Sequence, residues 1–285
     1  MDRKDVPPLV GTGWLADNLG RDDLVVVDAT YHLPTVMRNA RAEYEAAHIP
    51  GARFFDIDAI ADQASPLPHM LPSPEQFARA AEAMGIGDGD HVVAYDTYGL
   101  MSAARAWWML RVFGHDRVSV LDGGLPKWRR EGRPLTAAVP GPVPARHFTP
   151  RFRPELVRTK AQLLSNLTTR AEQVVDARAP GRFHGTEPEP RPGLRSGHIP
   201  GSRNVPYTNL IDREALTVLP PERLRDAFVV SGVDPDRPVI TSCGSGVTAC
   251  VLALGLHVIG ARSVAVYDGS WSEWGLPGDT PVETE

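Results

Sequence analysis

Short runs of apolar, largely β-branched residues alternate along the chain with longer stretches of helical character. These short runs lack an apolar–polar alternation, which is typical of strands covered on both faces by helices. The predicted strands, four in each half, are 24–27, 52–55, 91–95, 118–121, 173–176, 202–205, 239–242 and 263–267. The pattern therefore predicts an α/β fold in which each half forms a mainly parallel sheet flanked by helices.

Two of the helical stretches, 103–113 and 248–259, follow strands and are apolar nearly all round, which predicts buried helices. Pro74 and Pro221 each open a further helix, because proline is favoured in the first turn, where its missing N–H costs nothing.

The two halves also repeat each other, with offsets of 146 to 150 residues. The matched segments begin at Val25 and Val174, at His48 and His198, at Val92 and Val239, and at Leu121 and Tyr267. Four matches in the same order indicate a duplicated domain. The alignment places Asp96 of the first half opposite Cys243 of the second half.

A rise in proline density marks the boundary between the halves. We predict an N-terminal domain over 1–135, a proline-rich linker over 136–155 and a C-terminal domain over 156–285. Two domains fit the length of 285 residues.

Composition narrows the range of functions. The net charge of −5 is spread over mixed signs, so we expect neither a nucleic-acid partner nor a membrane surface. The start, Met1 to Asp5, is charged and has no apolar signal-peptide core. Cys243 and Cys250 lie in one loop-to-helix segment, which holds their Cα atoms too far apart for a disulfide. These features predict a reducing, cytoplasmic location.

Cys243 ends the apolar run 239–242, and a loop with Gly244 and Gly246 leads from it into the helical stretch. Loop N–H groups and a helix N-terminus both favour negative charge. A thiolate is such a charge, and thiolate is the nucleophilic form of cysteine. The segment therefore predicts an activated Cys243, whereas Cys250, inside the apolar helix, is predicted to pack in the core.

Cysteine phosphatases use a similar strand–loop–helix thiolate, but they need an arginine six residues after the cysteine to hold phosphate. Ala249 occupies that position here, which argues against phosphate chemistry.

With these features in view, the chain resembles the tandem-domain rhodanese-type sulfurtransferases, and within them the branch that uses 3-mercaptopyruvate. The resemblance rests on the loop Cys-Gly-Ser-Gly-Val-Thr at 243–248 and extends from the Asp28 region to Trp274. It implies two rhodanese-like domains, a catalytic second one and a silent first one with Asp96 at the cysteine position. Rhodaneses that prefer thiosulfate typically carry a basic pair after the cysteine, whereas this chain has Gly244 and Ser245.

The resemblance also implies roles for residues outside the loop. The breaker-rich segment 181–191 presents Arg182 and Arg191, and the sequence alone favours solvated surface arginines over a binding role. In the family, arginines at the matching positions bind the carboxylate and carbonyl of the donor. Asp58, His69 and Ser245 match a proposed aspartate–histidine–serine relay that moves a proton or polarises the substrate carbonyl. The remaining predicted substrate-binding positions are those of the loop itself, Gly244, Gly246, Val247 and Thr248.

The predicted reaction moves sulfur from 3-mercaptopyruvate through a Cys243 persulfide to a thiol, such as thioredoxin or glutathione, or to cyanide, and releases pyruvate. Thiosulfate:cyanide sulfurtransfer with the same cysteine is the alternative enzyme, and a non-catalytic sulfur-carrier module is the alternative from another class. We expect no organic cofactor and no metal, because the chain has neither a dinucleotide fingerprint nor a Cys/His cluster with ligand spacing. The pattern does not specify an oligomeric state.

Overall fold

The computed structural model describes residues 6–284, and the charged start on which the absence of a signal peptide was argued lies outside them. The chain divides into two compact units. Unit 1 contains the residues up to Gln63, Leu71–Arg153 and Asp212–Val218. Unit 2 contains Ala64–Met70, Pro154–Ile211 and the residues from Leu219 onward. Each unit thus includes a short segment from the other half of the chain, which no sequence pattern predicted.

Unit 1 is a parallel sheet flanked by helices. Its strands are β1 (Leu9–Val10), β2 (Leu24–Asp28), β3 (Arg53–Phe54), β4 (His91–Tyr95) and β5 (Val118–Leu121). Its helices are α1 (Thr12–Asn18), α2 (Ala40–Ala46), α3 (Ile57–Ile60), α4 (Pro74–Ala83), α5 (Ala103–Val112) and α6 (Gly124–Arg130). The strand order is β1-β5-β4-β2-β3, and every pair is parallel.

Unit 2 repeats this architecture with the strand order β6-β10-β9-β7-β8, again with parallel pairs throughout. Its strands are β6 (Val157–Arg158), β7 (Gln173–Asp176), β8 (Arg203–Asn204), β9 (Val239–Ser242) and β10 (Val264–Tyr267). Its helices are α7 (Lys160–Thr169), α8 (Pro180–Phe183), α9 (Pro221–Val229), α10 (Ala249–Val258) and α11 (Ser270–Trp274). Short 3₁₀ turns occupy Pro154–Leu156 and Tyr207–Leu210.

The predicted strands and the parallel α/β class are confirmed, with two shortened strands and two additional ones. The predicted runs 52–55 and 202–205 each contribute only two residues to their sheets, β3 and β8. The additional strands β1 and β6 are also two residues long, too short to leave a periodic signal.

The predicted helices form where expected. Helices α5 and α10 are buried over most of their length, as their all-round apolar sequences require. Pro74 stands in the first turn of α4, behind a Ser73–Gln76 capping box, and Pro221 opens α9. None of the helices within residues 6–284 has the length and apolarity needed to cross a membrane.

The proline-rich segment between the halves has no helix or strand from 137 to 153. It nevertheless packs against unit 1, because Phe148 is buried and the N–H groups of Arg151 and Arg153 donate to the carbonyls of Phe113 and Val112. Unit 1 accordingly extends to Arg153. The boundaries 1–135, 136–155 and 156–285 stay a prediction.

Candidate functional site

The topology of unit 2 marks one edge of its sheet as the place for a site. From β7 the chain proceeds outward to β8, whereas from β9 it proceeds in the opposite direction to β10. In open parallel sheets, ligands bind at the carboxyl ends of the strands where the order reverses in this way. Here β7 ends at Asp176, which is paired in register with Ser242, and Cys243 follows directly.

Cys243 is buried at the start of the loop between β9 and α10. Its main chain is bonded to the beginning of α11: its N–H donates to Ser270 Oγ over 3.2 Å, and its carbonyl accepts from the N–H of Trp271 over 2.9 Å. Ser272 donates to the carbonyl of Gly244 from both its N–H and its hydroxyl. These bonds hold the beginning of the loop in one conformation.

Ser270 maintains this arrangement at a conformational cost. Its φ of 47° is left-handed, a region that residues other than glycine rarely adopt. Its buried hydroxyl donates to the carbonyl of Tyr267 and accepts from Cys243. Because both bonds depend on this conformation, the strain is offset locally. Sequence reasoning missed Ser270, whose only signal was its place after Asp268 and Gly269, which repeat Asp122 and Gly123 of the first half.

The rest of the loop turns sharply into α10. Gly246 has a φ of 75°, where a side chain would be strained, and its carbonyl accepts from Cys250 Sγ at 3.2 Å. Ser245 and Val247 are buried, and Thr248 is half-buried. Cys250 itself is fully buried, in agreement with its predicted packing role.

The first half contains the same loop with a carboxylate in place of the thiol. Asp96 is fully buried, and its oxygens accept from the N–H groups of Tyr98, Met101 and Ala103, each at 2.8 Å. Burial raises the pKa of Asp96, and these three N–H groups oppose the rise. The loop is therefore an anion cradle, in which backbone donors converge on the side chain at the strand end.

Arg182 lies beside the cysteine loop. It is in helix α8, and a Cβ atom placed on Gly244 would lie only 2.9 Å from its Nη2 atom. Its guanidinium donates to Glu189 from Nη2 at 2.5 Å and from Nε at 3.3 Å. The absence of a side chain at Gly244 is what lets this guanidinium approach the loop.

A second arginine, Arg178, binds the same Glu189 carboxylate. Arg178 is fully buried and donates to Glu189 over 2.7 Å, to Asp176 with two nitrogens, and to the carbonyl of Gly197. Its guanidinium lies 4.3 Å from the ring centre of Trp271. Burial opposes its charge, but Asp176 and Glu189 together raise its pKa above the ordinary value. Sequence reasoning missed Arg178, because its burial and partners arise only in the folded unit.

Two residues of the predicted relay, His69 and Ser245, lie close together in unit 2. His69 lies in the segment Ala64–Met70 of unit 2, is buried, and has a left-handed φ of 61°. Its Nδ1 atom is 3.2 Å from the main-chain oxygen of Ser245. Asp58 is an exposed residue in α3 of unit 1, and its main-chain carbonyl accepts from Gln63.

Arg191 is half-buried in the connection between α8 and β8. His48 and His198, which begin matched segments of the two repeats, pair through their main chains with Thr136 and Glu283. Their Nδ1 atoms lie 2.7 Å and 2.9 Å from nearby carbonyl oxygens, which gives both histidines a structural role.

The model of the rhodanese-like domain matches the chain twice, at residues 12–131 and 159–276. The chain belongs to the rhodanese-like family. The matches fall on the two repeats that the sequence pattern identified.

Rhodanese-like relatives cover this chain almost from end to end. It is 47% identical to human 3-mercaptopyruvate sulfurtransferase over 272 residues, and this aligned region covers 93% of this chain and 91% of the human protein. It is 45% identical over 275 residues to the 3-mercaptopyruvate sulfurtransferase of Escherichia coli, spanning 96% and 97%. A crystal structure of a 3-mercaptopyruvate sulfurtransferase from that organism has a TM-score of 0.84 at 42% identity, covering 94% of this chain and 100% of the other.

These similarities confirm the predicted tandem rhodanese fold and the predicted sulfurtransferase class.

Proposed function

We propose that this rhodanese-like protein transfers sulfur from 3-mercaptopyruvate to a thiol acceptor through a persulfide on Cys243. One observation carries the proposal: Cys243 stands at the strand end of a loop whose twin holds the Asp96 carboxylate with three N–H groups. A thiolate, and after it a persulfide, fits the same cradle because each is an anion at the same position.

The reaction divides into two displacements. In the first, the Cys243 thiolate attacks the sulfur of 3-mercaptopyruvate. The S–S bond forms, the carbon–sulfur bond breaks, and its electron pair leaves on the enolate of pyruvate, which then takes up a proton. In the second, an acceptor thiolate attacks the outer sulfur of the persulfide and carries it away, which regenerates the Cys243 thiolate.

The donor is held by Arg182 and Arg191, because a guanidinium fork suits a planar carboxylate. The N–H groups of the loop from Gly244 through Gly246 and Val247 to Thr248 stabilise the charge on sulfur. Support for Arg182 comes from its approach to Gly244, the residue next to the nucleophile.

We also propose that Ser245, His69 and Asp58 move the proton that the enolate needs. The contact of His69 with the main chain of Ser245 supports the histidine's part in this relay. Replacing His69 or Ser245 with alanine should then lower turnover of mercaptopyruvate more than turnover of thiosulfate, because thiosulfate releases sulfite and forms no enolate that needs a proton. Equal losses with both donors would contradict the relay.

Gly244 and Ser245 favour mercaptopyruvate over thiosulfate, because they add no positive charge beside the nucleophile for a dianionic donor. Thiosulfate is the second candidate donor, because a thiosulfate sulfurtransferase of Cricetulus griseus is 46% identical to this chain over 273 residues. A non-catalytic carrier is disfavoured by the intact Cys243 and by the arginine beside it.

We propose thioredoxin or glutathione as the acceptor and a cytoplasmic location. A relative from Arabidopsis thaliana, 45% identical over 297 residues, is named as mitochondrial.

The deciding experiment compares kcat/KM for 3-mercaptopyruvate and thiosulfate, with mass spectrometry of the protein after donor is added without acceptor. The wild type should gain one sulfur atom and prefer mercaptopyruvate. Cys243→Ser should gain none and lose turnover with both donors. Cys250→Ser is the matched control, because its hydroxyl can still donate to the Gly246 carbonyl. Residual turnover in Cys243→Ser would refute the mechanism, and a strong preference for thiosulfate would refute the donor.

A further inference from the structure

Four charged side chains, linked by ion pairs, form a cluster around Glu189. Asp176 and Glu189 supply two negative charges, and Arg178 and Arg182 supply two positive ones. The side chains of Asp176, Arg178 and Glu189 are at most 2% exposed, whereas that of Arg182 is 19% exposed. The formal charge of the cluster is zero, and Arg182 is its one member that reaches toward solvent and the cysteine loop.

We infer that Glu189 is a positioning and specificity residue, which holds Arg182 against Gly244 and offsets its charge so that the site favours monoanionic donors over dianionic ones. The inference rests on the proposed function, because it concerns the choice between its two candidate donors. The uncharged residues Gly244 and Ser245 account for only part of the preference for mercaptopyruvate, and the buried carboxylate of Glu189 supplies the rest.

A chain of hydrogen bonds through Arg178 and Glu189 positions the guanidinium of Arg182. Arg178 is fixed by Asp176, by the carbonyl of Gly197 and by the face of Trp271. It in turn fixes Glu189 Oε1, and Glu189 Oε2 accepts from Arg182 Nη2. The guanidinium of Arg182 is thereby tied to the sheet rather than free to swing from its helix, and pre-orientation of this kind lowers the entropic cost of binding a carboxylate.

The specificity part follows from Coulomb's law. Mercaptopyruvate brings one negative charge, on its carboxylate, and thiosulfate brings two. An unpaired arginine beside Cys243 would attract a dianion about twice as strongly as a monoanion, and that difference grows as water is excluded. Glu189 stands within hydrogen-bond distance of Arg182, so a donor meets a neutral pair that offers N–H groups with little net charge.

The test is the donor selectivity, the ratio of kcat/KM for thiosulfate to kcat/KM for mercaptopyruvate. Glu189→Gln removes the charge and keeps the shape. For a charge about 6 Å from the donor, the ratio should rise by roughly 3-fold if the site is as polar as water and by roughly 100-fold at an effective dielectric constant of about 20. The change should appear chiefly as a lower KM for thiosulfate.

Two variants separate charge from position. Glu189→Asp keeps the charge but shortens the reach, so both donors should lose kcat/KM while their ratio stays within about twofold of wild type. Glu187→Gln is the matched control, since Glu187 lies in the same loop but is exposed, where water and salt screen its charge. Its ratio should also stay within about twofold.

Equal losses with both donors in Glu189→Gln would assign the residue a purely structural role and overturn the inference. Should Glu189→Gln fail to fold, the wild type itself provides the test through competitive inhibition by sulfate and by pyruvate. Sulfate should bind no more tightly than pyruvate at low salt, and tighter binding of sulfate would refute the neutralisation. A wild type that prefers thiosulfate would refute the proposed donor, whereas only an unmoved ratio or tight sulfate binding refutes the role of Glu189.

Discussion

Gly244→Ala tests how closely the loop and Arg182 fit. The backbone at Gly244 is not in the left-handed region, and the first repeat has Thr97 at the corresponding position, so an alanine suits the loop itself. The obstacle is Arg182, whose Nη2 atom would lie 2.9 Å from the new Cβ, about 0.5 Å short of the ordinary contact distance of 3.4 Å.

The guanidinium must therefore retreat by about half an ångström, against a 2.5 Å bond to Glu189. Displacements of about 1 Å in a substrate-orienting group can cost about 100-fold in rate. We expect kcat/KM for mercaptopyruvate to fall by about 10- to 100-fold, or about 1.4–2.7 kcal/mol. The free energy of unfolding should change by less than about 1 kcal/mol, because the tip of Arg182 is partly exposed and can move.

The assay is a double-mutant cycle with Arg182→Ala, followed by steady-state kinetics and thermal unfolding. In the Arg182→Ala background the added methyl group meets no guanidinium, so Gly244→Ala should cost less than about twofold there. Gly89→Ala is the control, since a Cβ there meets no atom within 4 Å. A full penalty in the Arg182→Ala background, or wild-type activity in Gly244→Ala alone, would refute the reasoning.

Three further perturbations probe the supports of the fold and the site. Ser270→Ala should destabilise the protein by about 2 kcal/mol and slow sulfur transfer at least about tenfold, because it leaves the Cys243 N–H without its acceptor. Ser270→Gly suits the left-handed φ but loses the same hydrogen bonds, so full activity in that variant would contradict the role of the Ser270 hydroxyl. Burial lowers the pKa of His91 to about 4, so as the pH falls the unfolded chain takes up a proton near pH 6.5, before the folded chain does. The free energy of unfolding should therefore fall by up to about 3 kcal/mol from pH 7 to pH 4. Denaturant titrations of His91→Gln should show a weaker pH dependence, and an unchanged pH dependence would refute the role of His91. Asp96→Asn places an amide nitrogen where an oxygen accepts N–H groups, and should cost about 2–3 kcal/mol in chemical unfolding; a cost below about 0.5 kcal/mol would show that the cradle does not need an anion.

The elements that sequence reasoning found are those with local causes. Strand β4 and helix α5, and their repeats β9 and α10, are mostly apolar segments, so their burial could be predicted from local composition. Cys243 could be singled out because the residues around it in the chain build the loop. The duplication supplied a second, independent signal, since it set Asp96 opposite Cys243.

Ser270 and Arg178, which sequence reasoning missed, act through contacts that exist only in the folded chain. Ser270 is 27 positions from Cys243, and Glu189 becomes a partner of Arg178 and Arg182 only when the 181–191 loop folds back. Nor does any local pattern explain why His69, from the first half of the chain, lies in unit 2. A long-range hydrogen bond leaves no period in the sequence, so no count of spacings can find it.

By itself, then, the sequence determined the repeated α/β architecture, the strand ends and the identity of the nucleophile, because hydrophobic burial and backbone propensity act over neighbouring residues. Tertiary structure alone decided that Arg182 lies against Gly244, that its charge is offset by a buried Glu189, and that α11 holds the loop of Cys243. Charges and hydrogen bonds act over a few ångströms in space whatever their distance along the chain, so their partners exist only after the sheet has formed.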